Sequence, residues 1–240
     1  MTGAVQLIPA PRTRTSAGPY PATTVLAVLG ALLLAAGTVL HPAGADPNDP
    51  VAAFTEYAGP GRAAWVTAHL LQLAGITGLT LAIILLAGAL AGPSTAWVRT
   101  TQALGTASLA LVATLQAVDG VALKAVVDRW SAAAAPDRPP WFAAALAVRQ
   151  VEIGLDGLWA LALGAAALGF AGILLTAARG STSLGILALV AAVLSLSGGL
   201  LFCLQGFSPA AMNVSMAGGA LGFLAVICVA VRGWRLHGTT

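Results

Sequence analysis

Two polar series in this sequence share one spacing. Arg62, Trp65, His69 and Gln72 follow at intervals of 3, 4 and 3, and so do Arg149, Glu152, Asp156 and Trp159. That rhythm puts each series on a single face of a helix. Between them in the chain come Gln116 and Asp119, one turn apart, and Lys124 and Asp128 at i, i+4. An imidazole among carboxylates supports three kinds of chemistry: carrying a proton, holding Zn²⁺ or another divalent ion, or binding a polar ligand. His69, Gln72, Gln116, Asp119, Arg149, Glu152 and Asp156 are therefore the candidate ligand-binding residues. For a metal, the residue types allow His69 with Glu152 and Asp156, joined by His41. These residues come from separate helices, so spacing does not establish that they converge. The sequence accordingly assigns no catalytic residue, no metal and no cofactor.

Each of these residues also has a plainer reading. A histidine on an apolar helix is more often a hydrogen-bonded structural group than a ligand. Glu152 and Asp156 are like charges one turn apart, which is unfavourable unless a cation intervenes. Arg149 is the nearest such cation, and Lys124 on the adjoining helix is another. The plainer arrangement is a hairpin whose two helices project beyond a bilayer and pair their charges at the interface. The sharper one is a water-filled cavity open to the outside, since ionisable groups buried in a membrane usually mark a functional site.

The elements that must position these groups are membrane helices. Of 240 residues, 58% are hydrophobic and 8% charged, and the mean hydropathy is +0.90. A soluble domain carries about 25% charged residues, so this chain's solvent is lipid. Its apolar runs are continuous rather than alternating, which excludes a lipid-facing β-barrel. The net charge of +3 forms no basic patch interleaved with aromatics, which excludes nucleic acid as a partner. The predicted fold is all-α, a six-transmembrane-helix bundle spanning 23–236. Spans are expected at about 23–40, 63–91, 95–120, 141–178, 184–204 and 210–231, with a disordered tail over 1–22. Helical character continues past the third span to Trp130. Gly92-Pro93 closes the second span, and Gly218-xxx-Gly222 offers the sixth a face for close helix approach.

The loops divide the charges. One side receives Arg12, Arg14, Arg99, Arg179, Arg232 and Arg235 and no acid; the other receives all eight acids with five bases. The positive-inside rule then puts both termini in the cytoplasm and loops 41–62 and 121–140 outside. In the first of these loops, Asp49 before Pro50 reads as a helix start. Val51, Phe54 and Ala58 would share one face of a short helix lying on the membrane surface. Ala43-Gly44-Ala45 resembles a cleavage site, but the preceding run exceeds a signal peptide's apolar core and further spans follow. Cys203 and Cys228 sit near opposite ends of the last two spans, roughly 27 Å apart along the membrane normal. That is too far for a disulfide, so they read as separate, packed thiols. His237 belongs to an exposed tail.

There is no P-loop, no G-x-G-x-x-G, no G-x-S-x-G and no H-E-x-x-H. The middle of every span is uncharged, whereas an ion-coupled transporter usually keeps an ionisable group near the midplane. The stretches AAWVTAHLLQLAG, VDGVALKAVVDRW and AVRQVEIGLDGLWALALGAA resemble segments of small bacterial multi-pass membrane proteins without assigned activity. The resemblance covers the second to fourth spans and implies a bacterial inner-membrane protein, with no functional residue attached. The sequence thus predicts a non-enzymatic membrane protein that binds a small molecule, divalent ion or partner at its outer polar face. A small-solute transporter is the alternative, followed by an intramembrane metal-dependent hydrolase. The lipid bilayer is its certain surrounding, and association into a homo-oligomer is left open.

Overall fold

The structure is a computed structural model and describes residues 20–91, 95–178 and 180–237. The predicted tail up to residue 19, with Arg12 and Arg14, lies outside the described residues, as do the Gly92-Pro93 break and Arg179. The elements are α1 (Tyr20–Leu40), α2 (Pro50–Ala58), α3 (Arg62–Ala91), α4 (Ala96–Ala117), a π-helical turn (Val118–Leu123), α5 (Lys124–Ala132), a 3-10 turn (Ala135–Asp137), α6 (Arg138–Thr176), α7 (Thr182–Gln205) and α8 (Pro209–His237). Six segments are long and apolar enough to cross a membrane, with α4, the π turn and α5 forming one of them.

Four boundaries differ from the sequence expectation by three residues or more, the sixth span among them, since α8 runs on to His237 rather than ending near residue 231 before a tail. The first span begins at Tyr20 rather than residue 23. The fourth helix begins at Arg138 rather than Trp141, because prolines fit the first helical turn, where backbone N–H groups need no helical partner. The third continues past Asp119-Gly120, in line with the helical character read as far as Trp130. It runs through a π turn, which inserts residues without breaking the rod, and ends at Ala132.

The helices approach through small residues. A Cβ on Gly30 of α1 would stand 2.8 Å from the Gly75 carbonyl oxygen of α3, and one on Gly218 of α8 would stand 2.6 Å from the Ser195 nitrogen of α7. Gly222, the other half of the predicted close-approach face, meets only the Ala191 methyl at an ordinary 3.6 Å. The polypeptide turns from α7 into α8 at Gly206, whose φ of 63° suits glycine. Leu79, Ile83, Leu86, Val98, Phe170, Ile173 and Val226 belong to one buried apolar cluster. It fills the bundle beyond Gln72, toward the ends where α3 finishes and α4 begins.

At the opposite end a second core forms from Phe54, Tyr57, Trp65, Leu123, Val127 and Ala145. This core shows what one face of α2 packs against. Its cap is as predicted: the Asp49 carboxylate accepts from the Val51 and Ala52 nitrogens at 3.0 and 3.1 Å. Val51 of the predicted apolar face points away from the bundle, 55% exposed. Instead Ala53, Phe54 and Tyr57 turn inward against the bundle, where two aromatic rings bury more area than a surface helix could. Helix α2 is thus a lid over the polar end. The cysteines are both free; Cys203 is exposed overall, with its thiol against Gly157 of α6.

Candidate functional site

The polar end is where α1, α5 and α7 finish and α3, α6 and α8 begin. The π turn carries Asp119 and Gly120 against α3. A Cβ on Gly120 would stand 2.8 Å from the His69 Cβ, so only glycine lets the turn come this close. The Trp65 indole donates to the Asp119 carbonyl oxygen at 3.2 Å. His69 Nε2 lies 2.9 Å from Asp119 Oδ2, and His69 is 2% exposed. The other carboxylate oxygen, Oδ1, is buried with no hydrogen-bond partner.

His41 enters from the end of α1, its backbone nitrogen bonded to the Gly37 carbonyl at 3.1 Å. Its ring packs 5.0 Å from Trp65 and 5.1 Å from His69, centroid to centroid. His69 Nδ1 lies 2.8 Å from the Trp65 carbonyl, and His41 Nδ1 lies 2.7 Å from the Pro42 carbonyl. A carbonyl only accepts, so Nδ1 is the donor in both rings, which leaves Nε2 of each as the nitrogen able to bind a further group; that of His69 faces Asp119. One donor atom each from His41, His69 and Asp119 lie within 4.8 Å of one another. Burial pushes the His41 imidazole below its ordinary pKa, partly opposed by the Asp119 charge; the neutral ring is the favoured form there.

Beside this triad is an ion pair. Arg149 donates from Nη1 to both Glu152 oxygens at 2.9 and 3.1 Å, and from Nη2 to the Pro47 carbonyl and the Tyr57 hydroxyl, each at 3.2 Å. Its guanidinium also lies 4.3 Å from the Phe207 ring centroid. Arg149 and Glu152 are 5% and 3% exposed. Burial raises the Tyr57 phenol above its usual pKa, with the Arg149 charge opposing, so the hydroxyl stays protonated. Lys124 gives its ammonium to the Tyr57 carbonyl at 2.9 Å and to Asp128 at 2.6 Å. Glu56 accepts from the Gly44 and Ala45 nitrogens at 2.7 and 2.9 Å. The segment between α1 and α2 is thereby tied down at Glu56 and Arg149. Substituting Tyr57→Phe removes the hydroxyl from a charged donor and is expected to lower stability by about 1.5–3 kcal/mol. Thermal unfolding in detergent measures it, and an unchanged transition would mean that Arg149 does not use that contact.

The sequence candidates therefore divide. His69 meets Asp119, and Arg149 meets Glu152. Gln116 has a buried Oε1 without a partner, and Gln72 packs its stem where a Cβ on Gly37 would stand 2.8 Å from its Cγ. Asp156 is partly exposed and joins none of these bonds. Of the metal set read from the sequence, His41 does lie beside His69, but Glu152 and Asp156 do not join them, because Arg149 occupies both Glu152 oxygens; Asp119 stands in their place. Lys124 does not separate Glu152 from Asp156, since its nitrogen is committed to Asp128 and Tyr57. Arg149, Glu152, Lys124 and His69 are all buried, so these side chains do not line open water. Sequence reasoning missed Tyr57 and the Pro47 carbonyl. Only an aromatic residue one turn after Phe54 hinted at the first, and nothing hinted at the second.

Six apolar spans with polar side chains gathered at one end describe a multi-pass membrane protein. No known protein family, curated protein or solved structure matches the chain.

Proposed function

We propose that this is a cell-membrane protein, with both termini in the cytoplasm, that binds a small ligand at an outward-facing site around His41, His69 and Asp119. The observation that carries the reading is Asp119 Oδ1, a buried carboxylate oxygen with no partner. Leaving such a group unsatisfied costs about 1–3 kcal/mol or more, and a bound ligand would supply what the protein does not. The segregation of all eight acids from six of the arginines supports the orientation. Binding is favoured over transport because Leu79, Ile83, Leu86, Phe170 and Ile173 seal the bundle beyond the site, and no ionisable side chain lies at mid-span.

Native mass spectrometry of protein extracted gently from membranes tests the site. The wild type should carry a bound species of defined mass that Asp119→Asn loses while remaining folded. Identical bare masses for both would remove the reading. For orientation, single cysteines at Asp137→Cys and Arg232→Cys, on a background with Cys203 and Cys228 replaced by serine, are exposed to a membrane-impermeant maleimide in intact cells. Position 137 should label and position 232 should not; the reverse pattern inverts the topology.

A further inference from the structure

We infer that the ligand of this cluster is a divalent transition-metal ion, with Zn²⁺ the best match, held by Nε2 of His41, Nε2 of His69 and the Asp119 carboxylate. The inference rests on the binding site proposed above and identifies its occupant.

Three observations point to a cation, the first two sharing the Nδ1 bond of His69. The first is the tautomer. With Nδ1 of His69 donating to the Trp65 carbonyl, a neutral ring turns the lone pair of Nε2 toward Asp119 Oδ2 at 2.9 Å. Two lone pairs facing each other repel, and positive charge between them removes the repulsion: a proton at the present 2.9 Å, or a metal ion once the pair opens slightly. The second is the way both rings are braced. Metal-bound histidines almost always donate their other nitrogen to a carbonyl or carboxylate, which fixes the ring and raises its basicity. His41 and His69 both do so, to Pro42 and Trp65. The third is Asp119 Oδ1, buried and unpartnered on the carboxylate that faces His69.

Distance and donor type narrow the choice. Zinc–nitrogen bonds are about 2.0–2.1 Å and zinc–oxygen bonds about 2.0–2.2 Å, so tetrahedral donors stand roughly 3.3 Å apart. The donor atoms here lie between 2.9 Å and 4.8 Å apart. A small opening of the His69–Asp119 pair and an inward swing of His41, which lies just past the end of α1, would close the shell. Calcium and magnesium take oxygen donors, whereas two imidazoles with one carboxylate suit zinc and its neighbours in the first transition row. Three protein donors leave a fourth position open, the pattern of sites that hold a water or an exchangeable ligand rather than a closed structural centre.

The test uses the full chain in detergent, stripped with chelator and titrated with Co²⁺ alone, whose visible d–d absorption reports tetrahedral coordination, followed by displacement with Zn²⁺. One Co²⁺ per chain is expected, with Zn²⁺ displacing it. His41→Gln, His69→Gln and Asp119→Asn should each weaken uptake by at least about 100-fold, the upper end of what losing even a supporting hydrogen bond costs. Asp137→Asn, exposed and distant, should bind as the wild type does. If His69→Gln does not fold, His41→Gln remains decisive because its ring lies beyond the end of α1. No saturable Co²⁺ uptake by the wild type, or uptake unchanged in all three variants, overturns the inference. An organic mass lost on Asp119→Asn, with no Co²⁺ uptake, would leave the binding site standing and remove only the metal. Bare protein in both experiments would remove both.

Discussion

Replacing Arg149 by leucine should lower stability by about 3–5 kcal/mol, the loss typical when one partner of a buried ion pair is deleted. The size follows from what stays behind. Glu152 is 3% exposed, and both its oxygens are bonded to Arg149. Without the guanidinium, the carboxylate sits in a poorly solvated interior unpaired, or must take up a proton. The Pro47 carbonyl and the Tyr57 hydroxyl lose their donor as well. The segment linking α1 to α2 would then keep its bonds to Glu56 of α2 but lose this tie to α6. A double variant, Arg149→Leu with Glu152→Leu, separates the charge penalty from the packing. Apolar replacement of a buried pair is often neutral or stabilising, so the double variant should recover most of the loss. Unfolding followed by circular dichroism in detergent measures all three proteins. A single variant within about 1 kcal/mol of wild type would mean that water reaches Glu152 far more freely than its burial implies.

Why the sequence announced this pair but not its surroundings is a matter of range. Arg149 and Glu152 are three residues apart on one helix, so helical geometry alone brings them together. The same holds for Lys124 and Asp128. Six spans were legible for an equally local reason: each apolar run is long enough to cross a bilayer by itself. His69 and Asp119 lie 50 positions apart, and their meeting depends on a π turn that no periodicity rule signals. The turn was visible only as Asp119-Gly120, which reads equally well as a helix boundary. Gly120 proved to be the place where α3 presses closest, not a terminator. The fold of α2 onto the bundle was hidden for a third reason. Val51 and Phe54 are both apolar, and composition does not say whether lipid or Trp65 and Leu123 will cover them. Choosing Glu152 and Asp156 as partners for His69 failed because it treated Arg149 as a neighbour of the site rather than the owner of both Glu152 oxygens.

Gly37→Val should separate the two histidines while leaving the bundle inserted. A Cβ at position 37 would stand 2.6 Å from the Ala68 carbonyl oxygen and 2.8 Å from the Gln72 nitrogen. Both are backbone atoms of α3, so no rotamer change relieves the overlap, and α1 must move outward. Overpacking of this kind typically lowers stability by about 1–3 kcal/mol, which a six-span bundle with α1 anchored along its length at Gly30 and Gly75 should survive. The consequence for the site is larger than the consequence for the fold. The Gly37 carbonyl holds the His41 nitrogen one turn later, so the displacement passes directly to the imidazole. A shift of an ångström or two takes its Nε2 out of reach of any ion shared with His69 and Asp119, since metal–nitrogen bonds tolerate only about 0.2 Å. Co²⁺ uptake by Gly37→Val should therefore fall at least about 100-fold, comparable to loss of the ligand itself. Gly219→Val, at a position where a Cβ meets nothing within 4 Å, should leave uptake unchanged. Wild-type binding by Gly37→Val would show that the α1–α3 contact does not set the position of His41. The site would then have to be sought around His69 and Asp119 alone.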